Sequence, residues 1–162
     1  MALERHDGPT ALALTRQKLP ALAEAAERAS EGVARGAYVL WETGGTPELL
    51  LLASGSELHL ALEAGKRLAS EGHVVRVVSM PSWELFAEQD ESYRDAVLPP
   101  AVRHRVAVEA ASPQGWDRWV GSGGTICGIN RFGASAPAEA LAEPFGYTAD
   151  RIAARARDLL AR

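Results

Sequence analysis

The stretch 49–79 constrains the fold more than any other part of this 162-residue chain. Leu49-Leu50-Leu51-Leu52-Ala53 is an unbroken aliphatic run, broken off by Ser54-Gly55-Ser56. Residues 57–71 then place Leu58, Ala61, Leu62, Ala64, Gly65 and Leu68 at intervals of three and four, which is helical spacing. Gly72 supplies the stop, and Val74-Val75-Arg76-Val77-Val78-Ser79 is a β-branched strand ended by Pro81. A strand, a helix and a second strand in this order form a crossover between parallel strands. Strands alternating with helices in this way indicate a layered α/β sheet.

The remaining segments fit that plan. Thr10-Ala11-Leu12-Ala13-Leu14-Thr15 reads as a short strand introduced by Asp7-Gly8-Pro9. Residues 20–36, rich in Ala, Glu and Arg, read mainly as a linker, with a short helix as the alternative. Residues 37–41 and 48–53 resemble two strands joined as a hairpin by Thr43-Gly44-Gly45-Thr46-Pro47. Helical pieces are expected at 83–88 and 91–97, closed by Pro99-Pro100, and a helical turn at 114–120. Further strands are expected at 105–109 and 125–129, and two last helices at 137–145 and 149–160. The expected class is α/β, a three-layer sandwich with a mostly parallel sheet and at least one antiparallel strand from the hairpin.

Composition excludes several functions. The net charge of −4 and the scattered arginines offer no stripe for a nucleic acid. The single Cys127 rules out an intrachain disulfide and a thiolate-rich metal site, and suits a reducing compartment. Met1-Ala2-Leu3-Glu4-Arg5-His6-Asp7 lacks a signal peptide's apolar core, and the run 49–53 is far too short to span a bilayer. The expectation is a soluble cytoplasmic domain with no membrane partner.

Local candidates for chemistry are few. Ser54-Gly55-Ser56-Glu57 joins a strand to a helix, where backbone N–H groups and the helix dipole attract an anion. The competing reading has Ser56 capping the helix and Gly55 making the turn, while the Glu57 charge repels a phosphate. Gly121-Ser122-Gly123-Gly124 precedes a strand and lacks a P-loop lysine, and Gly133-Ala134-Ser135-Ala136-Pro137 reads as a helix start with Ser135 or Ala136 near the cap. His6, His59, His73 and His104 show no metal-ligand spacing. Glu109 ends a strand as a candidate general base without an identifiable partner. Trp116 and Trp119 share a helical face suited to packing or to stacking on a sugar. No nucleophile–base–orienter set emerges, so no catalytic residue is assigned.

Longer words carry a resemblance. Thr15-Arg16-Gln17-Lys18-Leu19, Ala53-Ser54-Gly55-Ser56-Glu57 and Arg76-Val77-Val78-Ser79-Met80-Pro81-Ser82 resemble transketolase in order and spacing. So do Glu88-Gln89-Asp90, Tyr93-Arg94, Val97-Leu98-Pro99, Arg105-Val106-Ala107-Val108-Glu109-Ala110 and Arg131-Phe132-Gly133-Ala134-Ser135-Ala136-Pro137-Ala138-Glu139. The likeness is to the family's C-terminal domain, residues 37–162, with 1–19 as the end of the preceding pyrimidine-binding domain and 20–36 as the linker.

The resemblance implies a homodimeric enzyme of the pentose phosphate pathway. It uses thiamine diphosphate and a divalent metal, magnesium or calcium, to move a two-carbon ketol unit between sugar phosphates. It implies that Arg16 contacts the substrate phosphate in the intact enzyme, a task suited to the guanidinium fork. The family's Gly-Asp-Gly metal and diphosphate word is absent, so catalysis is expected in the N-terminal thiamine-binding domains and no cofactor on this chain. One charge-assisted group gives about 1.5–3 kcal/mol, short of the roughly 4.1 kcal/mol that a millimolar affinity needs. The isolated chain is therefore expected to be inactive, with a structural or dimer-supporting role. A small-anion regulatory module and a separately encoded transketolase subunit are the alternatives.

Overall fold

Strands β1 (Tyr38–Glu42), β2 (Leu49–Ala53), β3 (Val75–Ser79), β4 (His104–Val108) and β5 (Thr125–Cys127) form one sheet in the order β1-β3-β2-β4-β5. This is a computed structural model, and it describes Ala2 and residues 5–162. All neighbours are parallel except β1, which runs antiparallel to β3. The expected hairpin is thus corrected: β1 is the antiparallel strand, but β3 lies between it and β2. Burial explains the order. All five residues of β2 are buried, so it needs neighbours on both edges, whereas β1 alternates buried and half-exposed positions and suits the rim. Thr43 N–H donates to Val75 O (3.1 Å) and Glu48 N–H to Val74 O (2.9 Å), so the connection reaches over the end of β3.

Alternate side chains of β2 divide the core. Leu49, Leu51 and Ala53 pack with α2 (Leu58–Ser70) and α7 (Ala149–Leu160) on one face. Leu50 and Leu52 pack on the other face beside α3 (Trp83–Ala87), α4 (Glu91–Val97) and α5 (Asp117–Val120). Each fully buried leucine contributes roughly 1.5–3 kcal/mol. The three-layer α/β architecture follows from this two-sided burial. Ser82, Asp90 and Thr148 cap α3, α4 and α7 through their side chains. Before β1, the stretch expected as a linker holds a 3₁₀ turn, Ala23–Ala25, and α1 (Ala29–Ala34). Leu22, Ala25 and Ala29 pack onto the core, so this stretch is more than a tether.

The strand expected at 10–15 is absent. The segment is irregular and exposed, with Leu12 and Leu14 in solvent. A strand needs a neighbour's ladder, and no sheet edge reaches this arm. Met1, Leu3 and Glu4 of the expected 1–19 unit lie outside the described residues. Of the glycine-rich start at 133–137, the last helix but one, α6 (Ala138–Phe145), is preceded by Pro137 as its cap residue with no side-chain capping bond, so neither Ser135 nor Ala136 caps it. No helix among the described residues is long and apolar enough to cross a membrane.

Candidate functional site

From β2 the chain goes to β3 on one side of the sheet, and from β4 to β5 on the other. The loops leaving the carboxyl ends of β2 and β4 therefore diverge, which opens a crevice at a topological switch point. Ser54, Gly55, Ser56 and Glu57 follow β2, and Glu109 follows β4. Gly55 turns the chain at φ 53°, with open space beside its Cα.

Ser56 does not cap the helix as the competing reading expected. Ser54 Oγ donates to Glu109 Oε2 at 2.7 Å, and Ser56 Oγ donates to Glu57 Oε1. His59 Nδ1–H donates to Ser56 O at 2.6 Å, which fixes the imidazole against the turn. The α2 dipole meets the buried Glu57 carboxylate instead of a capping serine.

Tyr147 closes the site from the α6–α7 junction. Gly146 takes a left-handed conformation at the end of α6 and directs Tyr147 back over the sheet. Its hydroxyl donates to Glu109 O at 2.6 Å and lies 3.4 Å from Cys127 O. Burial raises the Tyr147 phenol well above its usual value, so it remains a donor throughout the neutral range. Burial likewise raises the Cys127 thiol, which keeps it neutral and a poor nucleophile.

Glu109 gains the partner that sequence alone could not name. Burial raises its pKa, the Ser54 hydrogen bond pulls the other way, and the Glu57 charge raises it again. The buried Trp116 indole adds a small lowering pull, although its N–H makes no regular hydrogen bond. A carboxyl with a raised folded pKa holds its proton where the unfolded chain has released it. Stability from this group is therefore complete below the ordinary carboxylate range near 4.5 and is lost as pH rises through the raised value. Glu109→Gln keeps an acceptor for Ser54 and removes the penalty. Its thermal midpoint is expected to exceed the parent's at pH 7, with the advantage vanishing by about pH 4. A difference independent of pH in melts from pH 4 to 8 would refute this origin.

Beside these groups lies a cleft of about 380 Å³, walled by Leu60, Ile129, Leu141, Phe145 and Tyr147 and reached by Glu57 and His59. Residues 17–20 of the arm line this cleft, while Arg16, just before them, is exposed and not among its lining residues. Trp116 and Trp119 do not reach solvent for stacking. Trp116 packs edge-on to Trp83 at 4.9 Å between centroids, and Trp119 lies 5.3 Å from Phe86. What the sequence did not show was the burial of Glu57, named there only as a first-turn charge, and the role of Tyr147, marked only by its place between Gly146 and the capping Thr148.

Residues 36–148 match the family described as the transketolase-like TK C-terminal domain. The chain belongs to this family. A transketolase of Geobacillus stearothermophilus is 53% identical over 163 residues, covering 100% of this chain and 24% of the relative. The transketolase of Leishmania mexicana superposes with a TM-score of 0.74 at 43% identity, over 82% of this chain and 19% of that one. A mutant transketolase of Pichia stipitis gives 0.80 at 34% identity, over 90% and 20%. The chain thus spans about a quarter of the curated relative's length. Transketolases as a family use thiamine diphosphate with a divalent metal, and the residues present here do not fit that pair. No three His, Cys, Asp or Glu side chains converge as a metal site among the described residues, and Glu57 and Glu109 set negative charge against a diphosphate.

Proposed function

We propose that this chain serves as the C-terminal domain of a thiamine-diphosphate-dependent transketolase that transfers two-carbon ketol units between sugar phosphates. The carrying observation is a likeness that runs the whole length of this chain yet reaches only 24% of a transketolase. Cofactor and chemistry then belong to the upstream domains of a cytoplasmic homodimer, and this domain supports their assembly. Arg16, exposed on the arm before the domain, supplies a fork of donors for the substrate phosphate when those domains are in place.

The switch-point crevice favours a second reading, a small regulatory ligand in the cleft. An anion held by Ser54, Gly55 and Ser56 is the weaker form of it. Both serine hydroxyls already donate to carboxylates, and a bound anion would face the same negative groups.

The purified chain, given thiamine diphosphate, magnesium and a sugar-phosphate donor and acceptor, is expected to show no ketol transfer above a heat-killed control. Turnover that copurifies with the chain would overturn the placement of the chemistry upstream.

A further inference from the structure

The glycine-rich turn Gly121-Ser122-Gly123-Gly124 has no part in the crevice at the carboxyl ends of β2 and β4. It leads into β5, so it lies at the amino ends of the parallel strands, across the length of the sheet. A separate cavity of about 320 Å³ opens there. Arg103 and His104 bound it where β4 begins, Ser122 and Gly123 bound it from the turn, and Arg162 bounds it beyond α7.

The turn lacks the lysine of a P-loop, but the fold brings it a different cation. A Cβ on Gly123 would stand 3.0 Å from Arg103 O and 3.2 Å from Arg103 Cβ, so glycine lets the turn lie close against Arg103. The Arg103 guanidinium donates to Ser122 Oγ at 3.2 Å and makes no other hydrogen bond among the described residues. Gly121 N–H donates to Asp117 O and Gly124 N–H to Gly121 O, whereas the N–H groups of Ser122 and Gly123 between them meet no acceptor among those residues.

The side-chain charge at the cavity has one sign. No acidic side chain lines it, and neither Arg103 nor Arg162 pairs with a carboxylate among the described residues. Glu48, whose charge acts together with that of His104, is held by His73 Nδ1 at 2.8 Å. The end of α7 brings carbonyls of the opposite polarity, and Arg162 sits on that end. His104 can donate from one ring nitrogen even when neutral. Free backbone N–H groups beside a guanidinium are what a phosphate group needs. The cavity exceeds the size of inorganic phosphate and falls at the small end of ligand sites, which leaves room for an organic body.

We propose that Arg103, His104, Arg162 and the Ser122–Gly123 backbone form a binding site for a small phosphate monoester. The site lies wholly within this chain and needs no upstream domain, so it stands apart from the transketolase reading.

The test titrates the isotope-labelled chain with glucose 6-phosphate and follows its amide spectrum. The Ser122 and Gly123 amides are expected to shift together and to saturate with a Kd of about 1 mM or tighter, the affinity of two charge-assisted contacts. Arg103→Gln is expected to raise that Kd about tenfold, the loss of one such contact. Arg103 is exposed, so the variant should keep the spectrum of the fold, and Arg162→Gln carries the same expectation if it does not. Inorganic phosphate is expected to bind several-fold more weakly, and citrate to leave these amides unmoved. Equal binding of inorganic phosphate or citrate would reduce the site to a general anion patch and overturn the proposal. So would an unchanged Kd in a folded variant, or shifts confined to residues 54–57, which would put the ligand in the switch-point crevice. The absence of any saturable shift at about 10 mM glucose 6-phosphate would overturn it outright.

Discussion

Arg105→Met is expected to lower the unfolding free energy by about 2–4 kcal/mol, the cost of leaving several partly buried carbonyls without a donor. Arg105 leaves β4 and gathers four of them. Its guanidinium donates to Trp119 O at 2.8 Å and to Pro99 O at 2.9 Å, with Leu98 O at 3.3 Å, while Nε donates to Val102 O at 2.9 Å. Leu98 is the C-terminal cap of α4, and Trp119 lies in the last turn of α5. One cation thus serves two helix ends, where carbonyls lack intrahelical donors and the dipoles are negative. Burial lowers the guanidinium pKa, but an arginine starts so high that it stays charged. Arg105→Lys keeps the charge but cannot reproduce the planar fork, so it should recover less than half of the loss. Urea unfolding at unchanged m-value is the measurement. A loss below about 0.5 kcal/mol for the methionine variant would mean that water serves these carbonyls equally well.

Arg105 also illustrates what a sequence conceals. Its strand was legible because Val106, Ala107 and Val108 form a short apolar run, and the same local periodicity exposed β2, α2 and β3. Helix pieces of five and seven residues, α3 and α4, were legible from breakers around them. None of this says which strand pairs with which. The turn Thr43-Gly44-Gly45-Thr46-Pro47 has hairpin chemistry, yet β1 pairs with β3, because the nonlocal demand of a doubly buried β2 outweighs the local turn. The arm failed in the opposite way. Its alternation at 10–15 suits a strand, but a ladder partner is a property of other chain segments.

The site was divided between the two kinds of information. The strand–glycine–helix order placed Ser54, Gly55 and Ser56 at the carboxyl end of a strand, while the crevice beside that end follows from the strand order. The partners of those serines did not follow. Ser54 meets Glu109 across 55 positions of sequence, and only the packing of β4 against β2 brings them together. That pairing turns a loop with the look of an anion site into one already holding carboxylates. Arg16 stands apart from all of this, exposed on the arm. Its assignment rests on the family word around it and not on any contact within this chain.

Gly36→Ala is expected to cost about 2–5 kcal/mol, combining left-handed backbone strain with overpacking. Gly36 has φ 83° just after the cap of α1, and its N–H donates to Val33 O at 3.2 Å to close that helix. Its carbonyl accepts from Ser82 N–H at 3.0 Å, which brings the start of α3 against it. A Cβ there would stand 2.3 Å from both Phe86 N and Ser82 O. These are backbone atoms held by the first turn of α3, so they cannot swing aside as a side chain's end could. Gly44 separates the two contributions. It has nearly the same φ, 85°, in an exposed turn where an added methyl would meet nothing within 4 Å. Gly44→Ala should therefore cost only the conformational share, about 1–2 kcal/mol. Equal losses in paired denaturation curves would show that α3 can retreat from Gly36. A loss at Gly36 larger by at least about 1 kcal/mol would show that close contact between the end of α1 and the start of α3 holds this side of the sheet together.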